Sequence, residues 1–431
     1  MNKLPEAFVN RMKELLQDEA AAFLHTYDQP YCRGVRLNPL KNATPDMVPG
    51  LLEPVPWEPT GYYLAQDSAA GAMPLHEAGA YYLQEPSAML PAAVLNPQPG
   101  ENVLDLCAAP GGKSTQLALR MQGRGLLVCN EPVPKRAQIL ARNIERMGIV
   151  NALVVSSLPE PLARRWPEGF DAVQVDAPCS GEGMFRRHPE TREEWNEESP
   201  AGCARRQAEI LDSAAAMVRP GGRLVYSTCT LNSLENEDTV ADFCRRHPDF
   251  ATEAFALPGA NAPEGMLTCY PHRMKGEGHF VALLRRRGEG RAELPPDRSL
   301  PRPDKQQNKA LADFAPHAPV PAAMLGDTLV YLPGCPDLRG LKVLRAGLHL
   351  GSMKGKVFMP DHAWAVSALA PDLPRVDLTP EQARKYQAGE TISVDEKLRG
   401  FVLPRLNGLV LGWGKVSNGV MKNHYPKGLR R

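Results

Sequence analysis

Short apolar runs alternate with helical patterns through the middle of the chain. "NVLDLC", "GLLVCNE", "ALVVSS", "FDAVQVDAP" and "GGRLVYSTCT" each read as a buried strand. Between them, "KSTQLALRMQ", "PKRAQILARNIERMG" and "CARRQAEILDSAAAMV" carry apolar residues at helical spacing. The alternation predicts an α/β domain over residues 86–285, built on a doubly wound, mostly parallel sheet covered on both faces. Residues 1–85 read as an amphipathic helix followed by an extended, basic, turn-rich segment, "RGVRLNPLKN". Residues 286–310 are polar and proline-rich, a linker pattern. Residues 311–431 show a second set of short strands and turns, which predicts a small α+β or β-rich module.

Composition narrows this picture without redrawing it. A chain of 431 residues with 43% hydrophobic and 23% charged positions can bury a sizeable core in two or three domains. The net charge of +1 means that any nucleic-acid surface has to be local. Nine cysteines lie scattered, none with the Cys-x-x-Cys spacing of a zinc site. That usage predicts a reducing compartment and no metal site. The N-terminus lacks a signal-peptide apolar run, and no stretch reaches the ~18 apolar residues of a membrane span. A cytoplasmic protein without membrane contact is expected.

The first candidate chemistry is "DLCAAPGGKST", Asp105 to Thr115. Its end resembles the phosphate loop of NTPases, which requires Gly-x-x-x-x-Gly-Lys-Ser/Thr. Counting back from Gly112 and Lys113 places the first required glycine at Cys107, so the pattern is broken. Adjacent Gly111 and Gly112 also break Gly-x-Gly-x-x-Gly. What remains is a strand, a tight Pro-Gly-Gly turn and a helix start, where an open parallel sheet binds its ligand. Glu131, at the end of the next strand, sits where an acid accepts from ribose hydroxyls. Asp105 and Glu131 also read as ordinary strand-end caps. Together with the turn they favour a nucleoside-bearing cofactor, which S-adenosylmethionine satisfies without a triphosphate.

Two later strands each run into a cysteine, Cys179 in "VDAPCSGEG" and Cys229 in "YSTCT". A lone cysteine is most often a small buried hydrophobe. Two at one sheet edge, with Asp176, suit methylation at carbon 5 of a pyrimidine. A thiolate adding to carbon 6 makes carbon 5 nucleophilic, and an acid can hold the exocyclic amine. The pair fits a division between attack and release. The residues alone leave open which cysteine does which.

"QEPSAM", "DLCAAPGGKS", "DAPCSGEG" and "STCT", in that order, resemble the Nol1/Nop2/Sun family of RNA 5-methylcytosine methyltransferases across about residues 80–285. The resemblance implies a Rossmann-like class I methyltransferase core that uses S-adenosylmethionine. It implies that Cys107, Ala108, Ala109, Pro110, Gly111, Gly112 and Lys113 line the cofactor site and that Glu131 holds the ribose. Asp176 then lies between cofactor and cytosine, Cys229 attacks and Cys179 assists release. One position departs from the family, which often carries an acid or amide near the adenine. Ser156 and Ser157 stand there, and a hydroxyl accepts more weakly.

Basic residues suggest where RNA lies. Arg186, Arg187, His188 and Arg192 follow the Cys179 loop, diluted by Glu190, Glu193 and Glu194; phosphate contact and a solvated helix face both stay open. Arg285, Arg286 and Arg287 read as a soluble strand end. Arg33, Arg36 and Lys41 carry no acid between them and are expected to complete an RNA groove. After Glu396 the chain is acid-free, with Lys397, Arg399, Arg405, Lys415, Lys422, Lys427, Arg430 and Arg431. Trp413, His424 and Tyr425 interleave with them, a pattern of charge and stacking rings that suits RNA. Arg345, His349, Lys354 and Lys356 add to the same module. The tail resembles a bacterial branch of the family whose PUA-like domain helps bind 16S ribosomal RNA, which makes the small-subunit rRNA the expected partner of a monomer. A tRNA or other RNA substrate, and a catalytically silent RNA-binding assembly factor, are the rival expectations.

Overall fold

The structure, a computed structural model, describes residues 3–297 and 300–430. An amphipathic helix, Glu6–Leu16, opens the chain and buries Phe8, Met12 and Leu16 along one face. Beyond it lies an antiparallel sheet in the order β2-β3-β1-β4, formed by β1 (Gly34–Leu37), β2 (Leu51–Pro54), β3 (Gly61–Leu64) and β4 (Tyr81–Leu83).

The five strands expected from the sequence follow: β5 (Asn102–Asp105), β6 (Leu126–Asn130), β7 (Ala152–Val155), β8 (Phe170–Asp176) and β9 (Val218–Thr228). All are parallel, in the order β9-β8-β5-β6-β7. The chain therefore builds outward from β5 in one direction, then returns to β8 on its other side. That reversal opens a crevice beyond the carboxyl ends of β5 and β8. Alternate residues feed opposite faces, as period-2 pleating requires. Val103, Leu127 and Val154 pack with Leu117, Leu140 and Ile144 of the covering helices. Leu104, Val128 and Val155 pack on the other face with Leu162, Trp166 and Leu211.

Antiparallel strands complete the edges. β10 (Phe250–Thr252), the hairpin β11 (Phe255–Leu257) and β12 (Ala260–Ala262), β13 (Met266–Cys269) and β14 (His279–Arg286) come next, with β14 joined to β9. Farther on, β15 (Ala323–Leu325) and β16 (Thr328–Tyr331) start a four-stranded sheet with β18 (Leu348–Lys354) and β19 (Val357–Pro360). β17 (Val343–Ala346) leaves that sheet and pairs antiparallel with β7, so the C-terminal region extends the central sheet. The last unit is a six-stranded sheet of β20 (Arg375–Asp377), β21 (Ile392–Ser393), β22 (Gly400–Leu406), β23 (Leu409–Val410), β24 (Gly414–Ser417) and β25 (Val420–Asn423).

This packing corrects three sequence expectations about RNA. Trp413 is 1% exposed; its Nε1 donates to the Asp361 carbonyl at 2.8 Å, and its ring packs on Phe314, Trp364 and Phe401. Tyr425 is likewise buried, against His362 and Tyr386. Neither can stack on a base. The pleat sends Gly414, Val416 and Met421 inward while Lys415 and Lys422 face solvent, so rings and charges part company. His424 stays half-buried beside Phe401, and Arg431 lies outside the described residues. Arg345 is spent on an ion pair with Glu145 at 2.9 Å, tying β17 to the helix Pro134–Arg146.

The N-terminal cations are also structural. Arg36 is fully buried and donates to Gln84 Oε1 (3.0 Å), the Gly112 carbonyl (2.9 Å) and Thr115 Oγ1 (2.7 Å). Lys41 donates to the carbonyls of Ala78 and Arg146, and burial then Arg146 push its pKa down to about 7. Arg33 is turned onto the carbonyls of Ala65 and Gln66.

Replacing Trp413 by alanine is expected to destabilise the C-terminal unit by about 3–5 kcal/mol, as for other buried tryptophans. Lys422→Ala on the outer face should stay within ~0.5 kcal/mol of the parent. Chemical denaturation of the full chain measures both, and an unchanged curve for Trp413→Ala would contradict its placement in the core.

Candidate active site

β5 ends at Asp105 and the chain turns through Leu106–Gly111 into the helix Gly112–Met121. Gly111 takes φ +113°, which side chains rarely adopt, and this lets the loop turn at the helix start. Ser114 is fully buried and donates to Asp105 Oδ2 at 2.6 Å, pinning the helix to the strand. Burial raises the Asp105 carboxyl to about 6. Lys113 reaches across the crevice to Asp176 Oδ2 at 2.7 Å. The two residues that resembled phosphate and Mg²⁺ ligands are thus committed to carboxylates.

Two cavities meet at this loop. The first, of about 490 Å³, is lined by Cys107, Ala109, Glu131, Asp176, Cys179 and Cys229 among others. Glu131 is buried at its wall; Oε1 accepts from the Val133 amide at 2.9 Å and Oε2 lies 3.4 Å from Arg136. Each oxygen keeps accepting capacity, which fits ribose hydroxyls. Ser156 Oγ donates to the Pro132 carbonyl and Ser157 Oγ to the Leu158 carbonyl, and Leu158 itself lines the cavity. The second cavity, of about 410 Å³, is lined by Ala108, Pro110, Gly112, Lys113, Arg187 and His279, and shares Cys107, Ala109, Asp176 and Cys229 with the first. Asp176 and Cys229 therefore stand where two ligands can face each other.

Burial works against the Asp176 carboxylate, but the Lys113 ammonium and a 2.8 Å hydrogen bond from Ser227 Oγ outweigh it and hold its pKa below the usual range. Asp176 lies opposite Ser227 in the β8–β9 register, so the loops that follow leave the sheet side by side. They bring Cys179 Sγ within 3.2 Å of Cys229 Sγ, and the Cys229 amide donates to Cys179 Sγ at 3.3 Å. The hydrogen bond to Cys229, then burial, push the Cys179 thiol well up, so Cys179 stays protonated.

Several residues that hold this geometry escaped the sequence reading. Glu235 Oε2 accepts from the Ser180 amide and from Gln207 Nε2, both at 2.9 Å, and Oε1 accepts from Ser180 Oγ. Gln207 also donates to the Pro178 carbonyl at 3.0 Å. Thr228 Oγ1 donates to Asn236 Oδ1 at 2.6 Å, and Asn236 Nδ2 donates back to the Thr230 carbonyl at 3.1 Å. Glu235 thus fastens the Cys179 loop to the Cys229 loop, and Asn236 folds the latter on itself. The signal was the Glu-Asn pair in "TCTLNSLENE", which reads as the polar start of the next helix, Glu237–Arg246. Arg186, considered for phosphate, is buried against Glu277, and Arg192 Nε donates to the Phe185 carbonyl. Arg187 remains exposed beside the second cavity, over the Tyr31 ring.

Comparison with known proteins decides the family. The profile of 16S rRNA methyltransferase RsmB/F matches residues 92–285, and those of the RsmF N-terminal domain, first C-terminal domain and PUA domain match 4–86, 310–368 and 373–431. Ribosomal RNA small subunit methyltransferase F of Klebsiella pneumoniae (strain 342) is 34% identical, over 99% of this chain and 96% of its own. The chain belongs to the RsmF family of rRNA methyltransferases. A methyltransferase of the same name from Escherichia coli O81 (strain ED1a) is 32% identical with the same coverage. Among solved structures, a methyltransferase homologue from Pyrococcus horikoshii is 28% identical with a TM-score of 0.57, covering 65% of this chain and 95% of that one. NSun6 from the same organism, 21% identical with a TM-score of 0.58 over 67% of this chain and all of its own, shares the fold. The core is a Rossmann-like methyltransferase domain, its cofactor is S-adenosylmethionine, and the C-terminal region ends in a PUA-like domain. No helix among the described residues is long and apolar enough to cross a membrane.

Glu235→Ala removes the acceptor that joins the two cysteine loops. A misplacement of about 1 Å costs on the order of 10²-fold in rate. Methyl transfer should therefore fall by ~10–100-fold while S-adenosylmethionine affinity changes less than ~threefold. Single-turnover transfer and equilibrium cofactor binding measure the two, and an unaltered transfer rate would rule out the clamp.

Proposed function

We propose that the protein methylates carbon 5 of a cytosine in 16S rRNA, with Cys229 as the covalent nucleophile and Cys179 as the residue that assists release. The observation that carries this reading is the pair of sulfurs 3.2 Å apart beside the Lys113–Asp176 ion pair, where two cavities meet. The first cavity, with Glu131 at its wall, suits the cofactor, and the second suits the base. When bound, S-adenosylmethionine supplies an electrophilic methyl group.

Cys229 Sγ adds to carbon 6, forming the S–C6 bond and moving the C5=C6 electron pair toward carbon 5. Asp176, kept ionised by Lys113, accepts from the exocyclic amine and orients the ring. Carbon 5 then takes the methyl group. Loss of its proton to a base returns the electron pair to C5=C6 and expels the Cys229 thiolate. Cys179, protonated in the resting site, stands within reach of that leaving sulfur and can protonate it. The assignment of attack to Cys229 and of release to Cys179 rests on the resemblance of "STCT" and "DAPCSGEG" to the motifs of the Nol1/Nop2/Sun family. Substrate choice rests on the names of the relatives and on the RsmF-type N-terminal and PUA domains.

Cys229→Ala should reduce methyl transfer by ~10³-fold or more, as for other nucleophile deletions, and form no adduct. Cys179→Ala should accumulate as a protein–RNA adduct visible on denaturing gels. An adduct that survives loss of Cys229 and disappears with Cys179 reverses the assignment. Bisulfite sequencing of 16S rRNA from a strain lacking the protein should show one lost 5-methylcytosine; loss in tRNA alone overturns the substrate.

A further inference from the structure

His279 opens β14, the antiparallel neighbour of β9, and lines the second cavity with Lys113, Asp176 and Cys229. It is 3% exposed, and its Nε2 has no hydrogen-bond partner among the described residues. Asp176 Oδ1 is 3.9 Å away, beyond hydrogen-bond reach, and already accepts from Ser227. A buried polar nitrogen left unpaired is costly, and in a binding cavity a ligand atom can supply the missing partner. Gln84 and Glu85, on the same wall, are occupied. Gln84 donates to the Ala88 carbonyl and accepts from Arg36, and Glu85 accepts from the amides of Ser87, Ala88 and Glu277.

Burial, and then Lys113, push the imidazole down to about 3, so the ring is neutral at working pH, with one donor and one acceptor nitrogen. The Asp176 carboxylate facing Nε2 favours the tautomer with the proton there. We infer that His279 reads the target base, donating from Nε2 to N3 of the cytosine while Asp176 accepts from its N4 amine. Uracil reverses both partners: its N3–H meets a donor and its O4 meets a carboxylate. The pair therefore rejects uracil by leaving buried polar groups unpaired, a stronger discrimination than pocket shape gives. The hydrogen bond also draws electron density from the ring and so favours addition at carbon 6. This inference rests on the reading of Cys229 as the nucleophile on cytosine.

The test uses full-length protein, S-adenosylmethionine and 16S rRNA transcripts made with 5-fluorocytidine or 5-fluorouridine; fluorine cannot leave as a proton, so the adduct is trapped. The parent should trap the fluorocytidine transcript and ignore the fluorouridine one. His279→Ala, and His279→Phe as a ring without a donor, should trap fluorocytidine ~10–100-fold more slowly, with a smaller preference over fluorouridine and unchanged S-adenosylmethionine binding. His279→Asn, which restores an N–H donor, should regain part of the preference. Unchanged trapping and preference in whichever of the Ala and Phe variants still binds the cofactor overturns the role of His279 alone. A parent protein that traps neither transcript overturns the Cys229 reading, and this one with it.

Discussion

The pairing of β8 with β9 is the constraint on which the site depends. The strands are parallel neighbours with Asp176 opposite Ser227, so their following loops emerge at the same edge. That pairing brings together two sulfurs 50 residues apart in sequence and leaves the side chain of Asp176 beside both. β5 lies on the other side of β8, so the cofactor-type loop faces the same crevice and Lys113 can span it. A different strand order would scatter the same motifs around the sheet.

Buried polar groups then lock what the backbone places. A charge removed from water is tolerated when it is paired and hydrogen-bonded. Lys113 and Asp176 meet this condition directly, while Glu235 is held by hydrogen bonds from Ser180 and Gln207 without a cation beside it. Arg36 does the same at a distance: from the N-terminal sheet it holds the Gly112 carbonyl and Thr115, and so fixes the helix behind the cofactor-type loop. The N-terminal region is in this sense part of the catalytic scaffold. His279 stands apart because its nitrogen is buried beside these pairs and belongs to none of them.

Much of this was legible in the sequence. The five strands were, because apolar runs between helical patterns leave little else for a chain to form. So were the loop at Cys107–Lys113, the acid at Glu131 and the cysteine-bearing strand ends, since each sits where a strand stops and Gly, Pro or Ser begins. The errors share one cause. Trp413, Tyr425, Arg36, Arg186 and Arg345 were judged by residue type, yet type does not say which face of a strand is covered or which carbonyl lies within reach. Glu235 and Asn236 were hidden for the same reason, since before a helix an acid and an amide look like an ordinary start.

The sequence by itself determined the periodicities, and with them the α/β class, the order of the motifs and the chemistry each residue carries. These are local properties, set by side-chain type and by spacings of two and 3.6. The tertiary structure alone decided which motifs share a crevice, which cations pair inward and which remain for a ligand. Those outcomes depend on strand order and burial, which couple residues far apart in the chain. The distance between Cys179 and Cys229 and the unpaired nitrogen of His279 exist only once the sheet has closed around them.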